Sequence, residues 1–290
     1  MQIGASELIL NEDNSIYHIN LLPQDLADTV ILVGDQNRVS RVSKHFDTIE
    51  VKKNKREFIT HTGTYRNKRI SVISTGIGTD NIDIVLNELD ALVNIDFDTR
   101  TVKKEKKSLD LIRIGTSGAI QEDIPLDSFV ASEYAIGFDS VLHYYKSEGV
   151  RQLEMEQAFI AHAEWPKEKS VPYIVKNSPS IFNHFMETNI IPGFTGSNVG
   201  FYGPQGRSLR LVPKNRHLNE ILASYNDDGR RITNLEMETS AIYGLADLLG
   251  HRAISMNCII ANRSTQKFSK NPAKAIDDLI LWTLNKIVTL

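Results

Sequence analysis

Short apolar runs that end in glycine or charge alternate along this chain with stretches of helical spacing. Residues 30–33 (Val-Ile-Leu-Val) are continuously apolar and run into Gly34-Asp35, the pattern of a buried strand entering a turn. Residues 58–65 and 69–75 read as a strand pair joined through Arg66-Asn67-Lys68. Across residues 79–93, Ile82, Val85, Leu86, Leu89 and Val93 recur three and four apart, which predicts a helix with one apolar face. Residues 109–114 predict another strand, closed by Gly115-Thr116-Ser117-Gly118, and residues 128–136 and 252–261 follow the same pattern. Met237, Ala241, Leu245 and Leu248 mark a helix between those last two strands. Asn271-Pro272, a cap residue followed by proline at the first helical position, starts a final helix. Its core face is Ile276, Ile280, Leu284 and Ile287.

Strands alternating with helices predict an α/β layer architecture around a central sheet. A chain of 290 residues fits one large domain of this kind, and the sequence carries no repeat, low-complexity tract or evident domain boundary. Two stretches read as excursions. Residues 96–107 hold Arg100, Lys103, Lys104, Lys106 and Lys107, and read as a solvated loop. Residues 143–169 are polar and aromatic without a clean period, and are expected to pack over one end of the sheet.

Composition changes the picture mainly by exclusion. The formal net charge is −3, so the basic surplus that a nucleic acid or anionic membrane partner would require is missing. The single cysteine, Cys258, lies in the apolar run 254–260 and reads as a small buried hydrophobe, not part of a disulfide or metal site. The eight histidines show no metal-ligand spacing. Glu7, Glu12 and Asp13 interrupt the early apolar residues, and no apolar run approaches the length of about 18 residues needed to span a membrane. A cytoplasmic protein is the expectation.

The candidate chemistry sits in polar clusters where strands end, the place where open α/β sheets bind ligands. Gly34-Asp35-Gln36-Asn37-Arg38 and Arg113-Ile114-Gly115-Thr116-Ser117-Gly118 combine glycine, which lets backbone approach an anion, with arginine, whose planar fork of donors suits phosphate oxygens. Ser74-Thr75-Gly76-Ile77-Gly78 opens a helix and adds N–H groups that can face an anion. Neither a dinucleotide glycine pattern nor a P-loop is present, nor the G-x-S-x-G of a serine hydrolase. Glu236 and Glu238, two residues apart, read either as solvated acids at a helix start or as a turn that directs one carboxylate into a site. The fourth cluster is Ala261-Asn262-Arg263-Ser264-Thr265-Gln266.

Taken in order, Arg56-Glu57-Phe58, Ser74-Thr75-Gly76-Ile77-Gly78, the run from Leu111 to Ile120, Glu236-Met237-Glu238 and Asn262-Arg263 resemble the nucleoside phosphorylase superfamily, and within it the uridine phosphorylase branch. The resemblance runs from His18 to the last helix. It implies a single-domain three-layer α/β/α fold with a central mixed sheet spanning residues 1–290. It also implies phosphorolysis of a pyrimidine nucleoside, such as uridine, to the free base and ribose 1-phosphate. By the same resemblance Gly34, Arg38, Arg113 and Thr116 hold phosphate, with Arg56 supplied by a neighbouring subunit. His18 also reaches across, to the ribose 5′-hydroxyl, while Glu238, beside Met237, accepts from the 2′-hydroxyl. Phe201 stacks on the base, and Gln205 and Arg207 read its edge. Arg38, Arg113 and Arg263 are the expected catalytic groups. No cofactor is implied beyond phosphate as co-substrate.

Arginine near the base oxygens would stabilise the anion that forms as the base leaves, and phosphate aligned by arginines would attack C1′ of an oxocarbenium-like sugar. Purine-cleaving relatives carry an aspartate after the late strand to protonate the base; Asn262-Arg263 stands here. A purine phosphorylase, a nucleosidase or a non-catalytic nucleoside-binding protein are the alternatives. Gln36 replaces the family's usual proline after Gly-Asp, and Thr79-Asp80-Asn81 replaces small residues and proline in a region where, with Glu57, relatives can hold a potassium ion. Shared sites imply a homodimer as the minimal unit, and the family suggests a homohexamer.

Overall fold

The computed structural model describes residues 2–290. In chain order it comprises β1 (Thr29–Val33), α1 (Gln36–Ser43), β2 (Thr48–Lys55), β3 (Phe58–Tyr65), β4 (Lys68–Ser74), α2 (Thr79–Asn94), β5 (Ile95–Asp96), β6 (Thr101–Val102), β7 (Asp110–Ala119) and β8 (Phe129–Gly137). There follow α3 (Leu153–Ala163), β9 (Tyr173–Lys176), α4 (Pro179–Phe185), β10 (Ile190–Ser197), α5 (Leu218–Ser224), β11 (Asn226–Asp227), β12 (Arg230–Arg231) and β13 (Asn234–Glu236). The chain ends with α6 (Thr239–Leu249), β14 (Arg252–Asn262), β15 (Lys267–Phe268) and α7 (Pro272–Val288).

The sheet is mixed and runs β15-β14-β8-β10-β13-β7-β1-β4-β3-β2, with β9 on β8. Because β14 pairs β7 as well as β8, the strands β14, β8, β10, β13 and β7 close a ring, while β1, β4, β3 and β2 continue as an open wing. Closure pairs each of these five strands on both sides, and β15 and β9 remain as short edge strands on β14 and β8. Strand side chains alternate between faces, and β1 shows the result. Val30 and Leu32 pack with α2 (Ile82, Val85, Leu86, Leu89) and α6 (Ala241, Ile242, Leu245) on one face. Ile31 and Val33 pack with α1, α4 and α7 on the other, against Ile276, Ile280, Leu284 and Ile287. The sheet thus lies between two helical layers, the single-domain α/β/α arrangement expected. Cys258 is fully buried in the second of these cores.

The strand expected over residues 109–114 does not stop at its glycines. It continues to Ala119, because Gly115 to Gly118 stay paired, with Asn257 to Ala261 of β14 on one side and Leu235 of β13 on the other. Ladder pairing on both sides overrides the usual meaning of glycine after a strand. The α6 helix begins two residues after Met237, at Thr239. Residues 143–169 contain the helix α3, which the sequence pattern did not announce. Its Met155 and Phe159 pack with Ile136, Ile174, Phe194 and Leu235 over the closed half of the sheet, and Trp165 stacks on Phe138 at 5.2 Å. Residues 96–107 are a largely exposed excursion around the β5–β6 hairpin, tied down where Arg100 Nε donates to Ile3 O (3.0 Å) and Lys103 Nζ to Val93 O (3.0 Å).

Candidate active site

A cavity of about 680 Å³ lies at the strand ends where the expected clusters converge. Its walls include Gly34, Asp35 and Arg38 after β1, Gly76 and Ile77 after β4, and Arg113 and Thr116 in β7. Leu235 to Glu238 at the end of β13 and Phe201, Gln205 and Arg207 after β10 complete them. The N-termini of α1, α2 and α6 meet here, each bringing a positive dipole end, although Asp35 at α1 and Glu236 with Ser197 at α6 already accept from first-turn N–H groups.

Arg113 is the electrostatic centre. Alternation along β7 sends Ile112 and Ile114 into the α7-side core and Arg113 to the opposite face, where it meets the start of α6. On the neighbouring β14, Ile254, Met256 and Cys258 face the same core, which leaves Ser255 and Asn257 on the Arg113 side. Its Nη1 donates to Asn257 Oδ1 (2.9 Å) and Ser255 Oγ (3.4 Å). Its Nη2 lies 2.6 Å from Glu238 Oε2 and 3.0 Å from Glu236 Oε2. Burial alone would depress the guanidinium, but Glu236 and Glu238 together outweigh it and raise its pKa. Gly115 makes this placement possible. A Cβ there would stand 1.9 Å from Arg113 Nη1 and 2.4 Å from its Cζ, so the guanidinium crosses the strand where only glycine leaves room.

The two glutamates resolve the sequence ambiguity: both are buried and both turn inward. Glu236 accepts from Ser197 Oγ (2.5 Å) and from the N–H groups of Glu238 (2.9 Å) and Thr239 (3.1 Å), so it caps the first turn of α6. Glu238 accepts from Gly78 N–H (2.9 Å) at one oxygen and Arg113 at the other. Burial lifts its pKa above the ordinary value, Arg113 pulls it down, and Glu236 lifts it again.

Arg38 approaches the same spot from α1. Its Nη1 donates to Ile114 O (3.2 Å), and its buried Nε has no partner among the described residues. Burial, then the field of Arg113, pushes its pKa down to about 10. A bound oxyanion would relieve both effects, since it supplies acceptors and the opposite charge.

The far end of the cavity is built from amide and guanidinium groups. Gln205 is buried, and Arg207 Nη1 donates to its Oε1 (2.6 Å) and to Phe201 O (2.7 Å). The Arg207 guanidinium lies over the half-exposed Phe201 ring at 3.8 Å, so the ring expected to stack on a base already carries a cation on one face. Burial and the neighbouring Arg263 push Arg207 down to about 10. Arg263 stands behind the wall, its Nη1 donating to Gln205 O (2.5 Å). The Asn219 amide, with its oxygen toward Arg263 Nη2 (2.9 Å) and its nitrogen toward Gln205 O (3.2 Å), braces the pair.

Three expected residues do not line this cavity: Arg263, held behind the wall on Gln205 O, and Arg56 and His18. Arg56, in the β2–β3 turn with φ 55°, is exposed, and Tyr17 lies between it and His18, its ring 5.9 Å from the Arg56 guanidinium and 4.8 Å from the His18 ring. Glu57 and Asn81 do line it. Ser255, Asn257 and Asn219 take part although no sequence cluster marks them, and Glu236 joins Glu238 where one inward carboxylate is expected. Polar residues alternating with apolar ones along residues 252–261 are a signal that could have marked Ser255 and Asn257. Asn262 is wholly committed to the fold: its amide nitrogen donates to Gln121 O and Ile124 O (both 2.9 Å), and its oxygen accepts from the N–H groups of Ser264 and Thr265.

Such a sheet, with arginines and helix ends at one side of a cavity and an amide–guanidinium pair at the other, defines an α/β enzyme site able to hold an oxyanion beside a polar ring. The chain belongs to the phosphorylase superfamily, whose sequence profile matches residues 28–282. It is 33% identical over 271 residues to a uridine phosphorylase of Thermococcus kodakarensis, covering 92% of this chain and 84% of that one. It is 29% identical to a DeoD-type purine nucleoside phosphorylase of Buchnera aphidicola, covering 93% and 98%. A Trypanosoma brucei nucleoside phosphorylase described as showing uridine phosphorylase activity superposes with a TM-score of 0.87 at 28% identity, covering 98% of this chain and all of that one. Among the described residues, no helix is long and apolar enough to cross a membrane.

Proposed function

We propose that the protein cleaves a pyrimidine nucleoside, uridine or a close analogue, with inorganic phosphate. The observation that carries this is one cavity with Arg38 and Arg113 at one end, Met237 and Glu238 between, and Gln205 and Arg207 at the other. Phosphate fits the first end, where two arginines supply charge and donors and three helix N-termini add their dipoles. The ribose lies against Met237, its 2′-hydroxyl donating to Glu238. Uracil presents acceptor, donor and acceptor along its edge, which an amide with a fixed oxygen and a guanidinium can read together. As a phosphate oxygen bonds C1′ and the C1′–N1 bond breaks, the electron pair stays with the base; Arg207 stabilises that anion without a proton donor, and Arg263 acts from behind the wall through Gln205. Asn262-Arg263, standing where the resemblance puts the acid of purine-cleaving relatives, offer no carboxylate, and the Asn262 side chain is fully bonded within the fold, which supports the pyrimidine reading.

In this reading Gly34 and Thr116 complete the phosphate site, and Arg56 and His18 serve the cavity of a neighbouring copy, which makes a homodimer the smallest active unit and a homohexamer the expected assembly. Their absence from the wall of their own cavity supports that sharing. The enzyme works in the cytoplasm and needs no organic cofactor; a potassium ion near Glu57 is not required by the chemistry. The test is base release from uridine, thymidine, inosine and adenosine, with and without phosphate. Uracil released only with phosphate is the expected result. Purine release would move the protein toward its DeoD-type relatives, release without phosphate would make it a nucleosidase, and no release from any nucleoside would favour a binding protein.

A further inference from the structure

His18 is held by one side chain from a distant part of the chain. Glu88, in the middle of α2, accepts from His18 Nδ1 (2.6 Å), from His18 N–H at both oxygens (3.0 Å each), and from Ile19 N–H (2.8 Å). One carboxylate thereby satisfies three donors and fixes both the backbone and the ring. The contact is largely shielded: the glutamate side chain is 13% exposed and the histidine 27%. Tyr17 and Phe58 pack edge-on against the ring, at 4.8 and 6.5 Å, so it has little freedom to turn.

The clamp also sets the chemistry of the free nitrogen. Facing a carboxylate, Nδ1 must carry the proton, so the neutral ring keeps Nε2 as an acceptor. Nε2 makes no hydrogen bond among the described residues. Glu88 lies about 15 Å along α2 from Gly78, where the helix touches Glu238. Neither Glu88 nor His18 lines the chain's own cavity, and the outward product of the clamp is an oriented acceptor on the same surface as Tyr17 and the exposed Arg56.

From this we infer that Glu88 is a positioning residue that presents His18 Nε2 to the 5′-hydroxyl of a nucleoside bound in the neighbouring copy, and so selects substrates with a free 5′-hydroxyl donor. This rests on the nucleoside reading above and on the shared site. An acceptor nitrogen backed by a carboxylate pairs with a hydroxyl; it gains nothing from a 5′-deoxy carbon and opposes a 5′-phosphate.

The experiment compares kcat/KM for uridine and 5′-deoxyuridine in the wild-type assembly and in H18A, E88Q and H18A/E88Q, with oligomeric state checked by sedimentation. The amide that E88Q introduces has one acceptor oxygen for three donors, so it cannot hold the ring as the carboxylate does. The uridine to 5′-deoxyuridine ratio should fall about tenfold in H18A, the worth of one hydrogen bond, and several-fold in E88Q. The double variant should be no worse than H18A in that ratio, because Glu88 acts through His18. If E88Q does not assemble, E88D keeps the charge but retracts it, and should lower the ratio partially. Loss on both substrates alike in the Glu88 variants, or additive loss in the double variant, would overturn the inference while leaving the shared site intact. An unchanged ratio in H18A would overturn the shared-site reading itself.

Discussion

Replacing Arg113 by methionine should cost the protein stability as well as phosphate, and the stability loss should depend on pH. The guanidinium lies 2.6 and 3.0 Å from two buried carboxylates, Glu238 and Glu236, with side-chain exposures of 7% or less on all three groups. Removing one partner of a buried ion pair leaves charge uncompensated, at a cost of about 3–5 kcal/mol. Folding entropy of about 2.1 cal/mol/K per residue over 290 residues gives about 0.6 kcal/mol/K, so the melting midpoint should fall by roughly 5–8 °C.

The pH dependence follows from Glu238. Its carboxyl already titrates above the ordinary value because burial outweighs the pull of Arg113, and Arg113 is the charge that restrains it. Without that charge the folded-state pKa rises further above the unfolded one. For an acid shifted upward, the destabilisation is full above the folded pKa and fades as pH falls toward the unfolded value, because the folded state then takes up a proton more readily. Chemical denaturation of wild type and R113M at about pH 7.5 and about pH 5 should show the deficit shrinking at the lower pH. A deficit below about 1 kcal/mol would mean that the cluster behaves like a surface pair, and a deficit equal at both pH values would mean the carboxylates are not the source.

Gly115→Ala drives a methyl into Arg113 Nη1, so the Michaelis constant for phosphate should rise by at least about tenfold, with a stability loss of about 1–3 kcal/mol from overpacking; unchanged phosphate kinetics would separate Arg113 from phosphate binding. Gln205→Ala should reduce kcat/KM for uracil nucleosides far more than it changes phosphate saturation, and equal losses would sink its assignment to the base. Asn262→Asp sets a carboxylate against two carbonyl oxygens, so it should destabilise by roughly 1–3 kcal/mol and confer no purine cleavage, as thermal melts and an inosine assay would report.

How far the sequence discloses this molecule depends on whether the determining force is local. Continuous apolar runs and 3.6-residue spacing depend on nothing distant, so β1, α2, β8, β14 and α7 can be read within a residue or two. The course of β7 cannot, because what keeps Gly115 to Gly118 extended is pairing with strands more than a hundred residues away. Residues such as Arg38, Arg113 and Glu238 are legible as short clusters, and Gln205 only through the family resemblance, yet the clusters alone leave open which carboxylate points inward. The answer, that both do, comes from Arg113: one buried cation between the two acids stabilises what neither could hold alone. Supporting residues are hidden for a related reason. Glu88 is an unremarkable acid on the exposed-looking side of a helix, and only the fold brings it to three donors some seventy residues earlier. Groups that bind ligand advertise themselves by type and neighbours; groups that orient them take their meaning from tertiary contacts.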